Sequence, residues 1–392
     1  MRMSVEDLII KSRELGGSDI HISKGVPPKL RIDGKLQNLS EEPLSYEDCE
    51  AYGREMAGDR YDQIREIGEL DLAATIAGSR IRFNLFRQQG ACSASLRILS
   101  DHIPDISKLG LPDLVQQFPT WQKGIILVTG ETGSGKSTTL AAILNEINHT
   151  RREHIITLED PIEYVYKPDL CLINQREVGK DTKSYADGLR AILREDPDII
   201  LIGEMRDAET IEIALTAAET GHLVFGTLHT NSAVDSVDRI VGSFAAERQG
   251  QIRMQLSTTL RAVLSQQLLV KKGGKGRCAA CEAMLVTTAI RNLIREGKTP
   301  QMQSSLLSSA KLGSITMDNC LLKMVREGLI DTDTAIDAAA DAEYVRANVG
   351  GMGGFSTRPN TAMNNTARPG TPGSGMGGMN STPPSRGGFF KK

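Results

Sequence analysis

Eight residues, Gly130-Glu131-Thr132-Gly133-Ser134-Gly135-Lys136-Ser137, spell G-x-x-x-x-G-K-S and constrain this chain more than any other feature. The pattern has chemical meaning only between a strand and a helix. Here a continuous apolar run, residues 125–129, precedes it, and a helical stretch, 137–147, follows. The glycines let backbone N–H groups curl around phosphates without Cβ clashes. The helix N-terminus adds the positive end of a dipole. In such a loop Lys136 reaches the β- and γ-phosphates, the Ser137 hydroxyl binds Mg²⁺, and Thr138 closes the cradle. The expected ligands are ATP and Mg²⁺.

The surrounding sequence alternates strand and helix. Runs 155–158, 199–202 and 223–228 are mostly apolar, as in strands covered on both faces of a parallel sheet. Helical stretches at 185–194 and 208–220 lie between them. This predicts an α/β domain of the doubly wound type, which binds ligands at the carboxyl edge of its sheet. Glu204 ends one buried run at that edge, and Glu159-Asp160-Pro161-Ile162-Glu163 follows another. Pro161 suits the first turn of a helix. Two carboxylates near one phosphate imply separate roles, one polarising water and one holding the metal shell, with Glu204 beside Mg²⁺. His222 and His229 bracket the run 223–228. Seven residues apart, they point to opposite faces of a regular strand and do not share a metal. A histidine near a γ-phosphate is placed to sense hydrolysis. Cys278 and Cys281 make half of a zinc site, but four ligands are needed and no second pair follows, so packing is the expected role.

The 392 residues suggest two or three domains. Residues 1–100 read as a small α+β domain: a helix at 5–15, then strands, with Asp33-Gly34 as a hairpin turn. Residues 101–123 read as a linker with a short helix, 124–285 as the nucleotide-binding core, 286–348 as a helical region, and 349–392 as a disordered tail. The last 43 residues hold 11 glycines and 5 prolines and no acidic residue, and carry +5. The chain as a whole is at −3, which leaves the body at −8. That acidity, with 4% aromatics, argues against a nucleic-acid-binding role, because single strands are held by basic grooves and stacking rings. No apolar run approaches bilayer length and the N-terminus lacks a signal peptide, so a cytoplasmic protein with no transmembrane segment is expected. Six scattered cysteines do not make a disulfide scaffold.

Four boxes in order, the G-x-x-x-x-G-K-S run, residues 156–164, residues 193–207 and residues 220–231, resemble the secretion ATPases of type II and type IV systems. Within that superfamily Ala289-Ile290-Arg291-Asn292-Leu293-Ile294-Arg295-Glu296 is similar to the signature of the type IV pilus retraction ATPases, supported by runs at 18–22 and 265–269. The resemblance covers roughly residues 1–345. It implies an N-terminal PAS-like α+β domain, a RecA-like P-loop ATPase core, a C-terminal helical region and a homohexameric ring. It implies a motor that hydrolyses ATP to disassemble pilin and drive twitching motility. Its partners would be an inner-membrane platform protein and a second retraction ATPase, and its place the inner face of the cytoplasmic membrane at the pilus base. Glu163 becomes the catalytic carboxylate and Glu204 the acid near Mg²⁺. His222 and His229 form a histidine box, with His229 nearer the γ-phosphate. Arginines of the small domain complete the site; Arg80, Arg82, Arg87 and Arg97 are the candidates, and Arg82 and Arg97 are favoured. In residues 289–296, taken as a helix, Ile290, Leu293 and Ile294 form an apolar stripe. Arg291 and Arg295 are left as coupling residues for an acidic surface. Two departures from the resemblance stand out, the run Gly242-Ser243-Phe244-Ala245-Ala246 and the two cysteines Cys278 and Cys281. The alternatives are an extension or secretion ATPase of the same family and, from another class, a RecA-like nucleic-acid translocase.

Overall fold

The computed structural model describes residues 2–32, 35–99 and 102–350. The first part of the chain supplies α1 (Val5–Glu14), β1 (Asp19–Ile22), β2 (Lys29–Ile32), β3 (Lys35–Asn38), α2 (Tyr46–Ala57), α3 (Tyr61–Ile67), β4 (Glu69–Ile76), β5 (Ser79–Gln88) and β6 (Ala91–Ile98). The strands form one antiparallel sheet in the order β3-β2-β1-β6-β5-β4. Period-2 alternation settles its faces. Ile81, Phe83 and Leu85 of β5 point into a core shared with Leu8, Ile9, Tyr52 and Ile64 of the helices, while Arg80 and Arg82 lie on the other face. Serines 4 and 45 cap α1 and α2, each within a reciprocal capping box. Helices α2 and α3 are additions to the helix-then-strands reading. The buried stripe of α2 is Cys49, Tyr52, Gly53 and Ala57, too poor in branched aliphatics to stand out. Asp33-Gly34, read as a hairpin turn, lies outside the described residues, although β2 and β3 do pair antiparallel.

Two short 3₁₀ turns, Ile106–Lys108 and Asp113–Thr120, occupy the connector and bury Leu114, Val115 and Phe118. Then come β7 (Gly124–Thr129), α4 (Lys136–Thr150), β8 (His154–Glu159), β9 (Leu172–Glu177), α5 (Tyr185–Ile192), β10 (Ile199–Ile202), α6 (Ala208–Glu219), β11 (Leu223–Leu228), α7 (Ala233–Gly242), α8 (Ala246–Thr259), β12 (Leu260–Val270) and β13 (Arg277–Leu285). They build a mixed seven-stranded sheet, β13-β12-β7-β11-β10-β8-β9, parallel except for the antiparallel pair β12–β13. The continuous apolar runs have the expected cause. Ile125 and Leu127 face one core with Ile156, Ile200 and Val224, and Ile126 and Val128 face the other with Ile155, Ile199 and Phe225. Helix α4 covers the second face through Leu140, Ile143, Leu144 and Ile147; α5 to α9 cover the first. Beyond β13 the chain is helical: α9 (Thr288–Glu296), α10 (Met302–Ser308), α11 (Met317–Arg326), α12 (Thr332–Asp337) and α13 (Ala342–Gly350). Cys278 and Cys281 are strand residues of β13. Cys281 is fully buried, with its N–H on the Cys320 sulfur at 3.3 Å. Both sheets belong to one compact unit, Met1–Gly351. The tail expected at 349–392 lies outside the described residues from 351 onward.

Candidate active site

Strand β7 delivers the chain to Gly130 at the carboxyl edge of the sheet. Gly130 has φ +137, and a Cβ there would stand 2.2 Å from the backbone oxygen of Gln266 on β12. Only glycine fits. Gly133 and Gly135 also hold positive φ, and α4 then begins at Lys136 with no side-chain cap on its N-terminus. Its first N–H groups are open to an anion. Lys136 Nζ donates to the carbonyls of Gly130 at 2.7 Å and Glu131 at 2.9 Å. Burial pulls its pKa below the usual lysine value, and the charges of Glu204 and Glu163 oppose that shift. Both carboxylates therefore lie near enough for their charge to act on the P-loop lysine.

Parallel register explains part of this convergence. Ile202 is level with Leu158 and Gly226, and Leu228 with Thr129. Gly130, Glu159, Glu204 and His229 thus leave the sheet along one edge. Glu204 Oε2 accepts from the Arg206 guanidinium at 2.6 Å, and His229 Nε2 stands 3.4 Å from Glu204 Oε1. Burial alone would raise the Glu204 carboxyl, but Arg206 and His229 hold it below the usual range. His222 sits at the other end of β11, where its carbonyl accepts the Gly124 N–H at 3.0 Å. Seven residue steps, roughly 23 Å at ~3.3 Å each, separate it from His229. The structure brings His229 to Glu204 and leaves His222 remote from the P-loop of its own chain.

Glu163 follows β8 in an irregular run, 160–171, where a helix starting at Pro161 was expected. Side chains satisfy that run in place of helical bonds. Gln175 donates to the Tyr164 carbonyl at 2.8 Å and accepts the Tyr166 N–H at 3.0 Å. The Tyr164 hydroxyl meets Thr138 Oγ1 at 2.9 Å, joining the run to α4. Glu159 accepts from Thr157 at 2.6 Å, from Gln175 at 3.2 Å and from the Glu163 backbone. Burial pushes the Glu159 carboxyl up to about 7. The folded chain therefore binds a proton at Glu159 that the unfolded chain has released. This group's contribution to stability is full below about pH 4.5 and is lost as pH rises to about 7. Glu159→Gln should flatten the fall in stability between pH 5 and 7 by up to ~1.4 kcal/mol per pH unit, measured by denaturant unfolding. An unchanged slope would remove Glu159 as its source.

The arginines divide. Arg82 and Arg97 face each other across β5 and β6. Arg97 pairs with Asp19 at 2.9 Å, and Arg82 has no ion pair among the described residues. Neither hydrogen-bonds the loop 130–138 of its own chain among the described residues. Arg87 is held by Glu50 at 2.9 Å. Arg80 pairs with Glu177 and donates to the Ile162 carbonyl at 3.0 Å. Arg291 and Arg295 lie on α9, whose Ile290 and Ile294 are buried. Helix α9 leaves β13 at the Gly124 end of the sheet, opposite the P-loop, where the Val286 N–H bonds the Arg261 carbonyl at 2.9 Å. Arg261 lies 5.1 Å over the Trp121 ring; burial, then the charge of Arg291, lowers its pKa.

Two supporting residues escaped the sequence reading. Gln266 is buried in β12 and its amide donates to the Ser134 carbonyl at 2.8 Å, bracing the P-loop from the adjacent strand. Glu282, buried in β13, accepts the N–H of Ala233 at 2.8 Å and so fixes α7 just after the His229 segment. A glutamine pair, Gln266-Gln267, in an otherwise apolar strand was the available signal for the first; nothing local marked the second.

Fold and site together define a P-loop ATPase of the α/β class. Residues 14–328 match the family described as type II/IV secretion system protein, and the chain belongs to that family. It is 45% identical over 339 residues to the Pseudomonas aeruginosa type IV pilus retraction ATPase PilT, covering 86% of this chain and 98% of that protein. It is 43% identical over 318 residues to a Neisseria gonorrhoeae twitching motility protein, covering 81% and 85%. A crystal structure of the pilus retraction motor PilT with bound ADP superposes with a TM-score of 0.82 at 47% identity, over 88% of this chain and 99% of that one.

Proposed function

We propose that this chain is the ATPase motor that powers type IV pilus retraction. The observation that carries the reading is a P-loop with its lysine, and the Glu204–His229 pair, leaving one sheet edge, in a chain this similar to a retraction ATPase. The cradle fits a triphosphate: Gly130, Gly133 and Gly135 hold the loop at positive φ, and the α4 N-terminus carries no cap. Ser137 and, through water, Glu204 would hold Mg²⁺, which supplies positive charge at the phosphate oxygens. Lys136 exchanges two loop carbonyls for phosphate oxygens. Glu163 accepts the proton of the attacking water, and His229 reports the state of the site through Glu204. Arg82 and Arg97 close a site across a subunit boundary in a homohexameric ring, with the six-stranded sheet acting as the PAS-like domain. His222 acts, if at a nucleotide, at a neighbour's. Among the described residues no helix is long and apolar enough to cross a membrane. The motor works at the cytoplasmic face of the inner membrane on the platform protein, alongside a second retraction ATPase.

Deleting the gene should leave cells with many surface pili and no twitching motility. Cells without pili would assign extension instead, and stimulation of the ATPase by DNA would favour a nucleic-acid translocase. Complementation with Arg291→Ala/Arg295→Ala should restore hexamers and basal ATPase to within about twofold but not twitching, since both arginines lie far from phosphate. Normal twitching would remove them from coupling.

A further inference from the structure

We propose that Arg80 is a positioning residue for hydrolysis: from the six-stranded sheet it holds, with Glu177, the peptide that carries Glu163. The proposal rests on Glu163 being the catalytic carboxylate. Arg80 projects from β5 on the face opposite Ile81 and Phe83. Its guanidinium pairs with Glu177 at the end of β9, and both side chains are about nine-tenths buried. Arg80 Nε donates to the Ile162 carbonyl at 3.0 Å, and Glu177 Oε2 accepts the Ile162 N–H at 3.3 Å. Both polar groups of one residue therefore end on a single ion pair. The next residue is Glu163.

Glu177 is itself fixed. It lies level with Glu159 in the β8–β9 ladder, and its own N–H is bound by Asp181 at 2.8 Å. A generic strut between two sheets would join one scaffold to another. This pair grips the backbone of the segment that bears the base, 82 residues away in sequence. Arg82, two residues on and on the same face, has no ion pair among the described residues, so the two arginines have different tasks. A shift of the six-stranded sheet against the seven-stranded one pulls on Arg80 and turns the Ile162 peptide. Misplacing a catalytic group by about 1 Å can cost ~10²-fold in rate. Turnover is thereby tied to how the two sheets stand.

The test measures ATP kcat and KM, with thermal stability, for full-length Arg80→Gln, Glu177→Gln and the double variant. Each single change should lower kcat about tenfold with KM within about twofold, and the double should be no slower than the slower single. Arg80→Gln leaves Glu177 buried without its partner and is the variant most exposed to misfolding. The double variant removes both charges, so it carries the reading if that single change does not fold. Wild-type kcat in the folded double variant, independent losses that multiply, or a raised KM at unchanged kcat, as from a direct phosphate ligand, would each overturn the proposal. Glu163→Gln in the same assay keeps the two readings apart, because its turnover decides the role of Glu163 whatever the Arg80 series shows.

Discussion

Glu163→Gln should lower ATP turnover by at least ~10²-fold while leaving ATP binding within about threefold of wild type. The two effects separate because the side chain and the backbone of Glu163 do different things. The backbone N–H bonds Glu159 and the flanking residues hold Gln175, Glu177 and Arg80, none of which the substitution touches. Glutamine keeps the volume and the polar tip and loses only the capacity to take a proton. The P-loop stays intact, and a negative charge acting on Lys136 disappears, which if anything favours a triphosphate. Single-turnover hydrolysis and equilibrium binding of a fluorescent ATP analogue measure both quantities. Turnover near the wild-type rate would strip Glu163 of its role and return attention to Glu159 and Glu204.

Gly130→Ala should abolish useful nucleotide binding, with affinity down by at least ~10²-fold, for a steric reason. The added methyl would meet the Gln266 backbone oxygen at 2.2 Å and Ser134 Oγ at 2.7 Å. The serine can rotate; the carbonyl belongs to β12, which is hydrogen-bonded to β7 one residue earlier at Ser265–Thr129. Relief requires either parting two central strands or opening the loop whose carbonyl holds Lys136. Gly133→Ala is the control. Its φ is also positive, but a Cβ there meets nothing within 4 Å, so only backbone strain of about 1–2 kcal/mol applies. Isothermal titration with ATP should separate the two variants. Equal affinities would mean that the close approach to β12 does not shape the cradle.

The P-loop was legible because its chemistry is local: eight consecutive residues must curl around one anion, and the spacing says so. The central strands were legible because burial on two faces favours apolar residues at nearly every position. Other parts were hidden for physical reasons. Strand β9 is an edge strand reading Leu-Ile-Asn-Gln-Arg-Glu, whose polar residues serve the loop beside it rather than any periodic face. Strand β13 is built of cysteine, alanine and glutamate because helices α11 to α13 press on one side of it through Met317, Leu321 and Val345. Alternation put Arg80 and Arg82 on one face but could not say which of them Glu177 would meet from 97 residues downstream. The segment after Glu159 looked helical at Pro161 because proline tolerates a first turn; the tertiary partners that bond its backbone instead are invisible in a linear reading.

The P-loop and helix α9 leave opposite ends of the same sheet. Strands β7 and β11 and the start of β12 run the whole way between them, packed on both faces. Close-packed interiors have low compressibility, so such a slab behaves as a lever rather than a spring. A displacement at the phosphate end would therefore be carried by the strands together, rather than absorbed within them, toward the end from which α9 leaves.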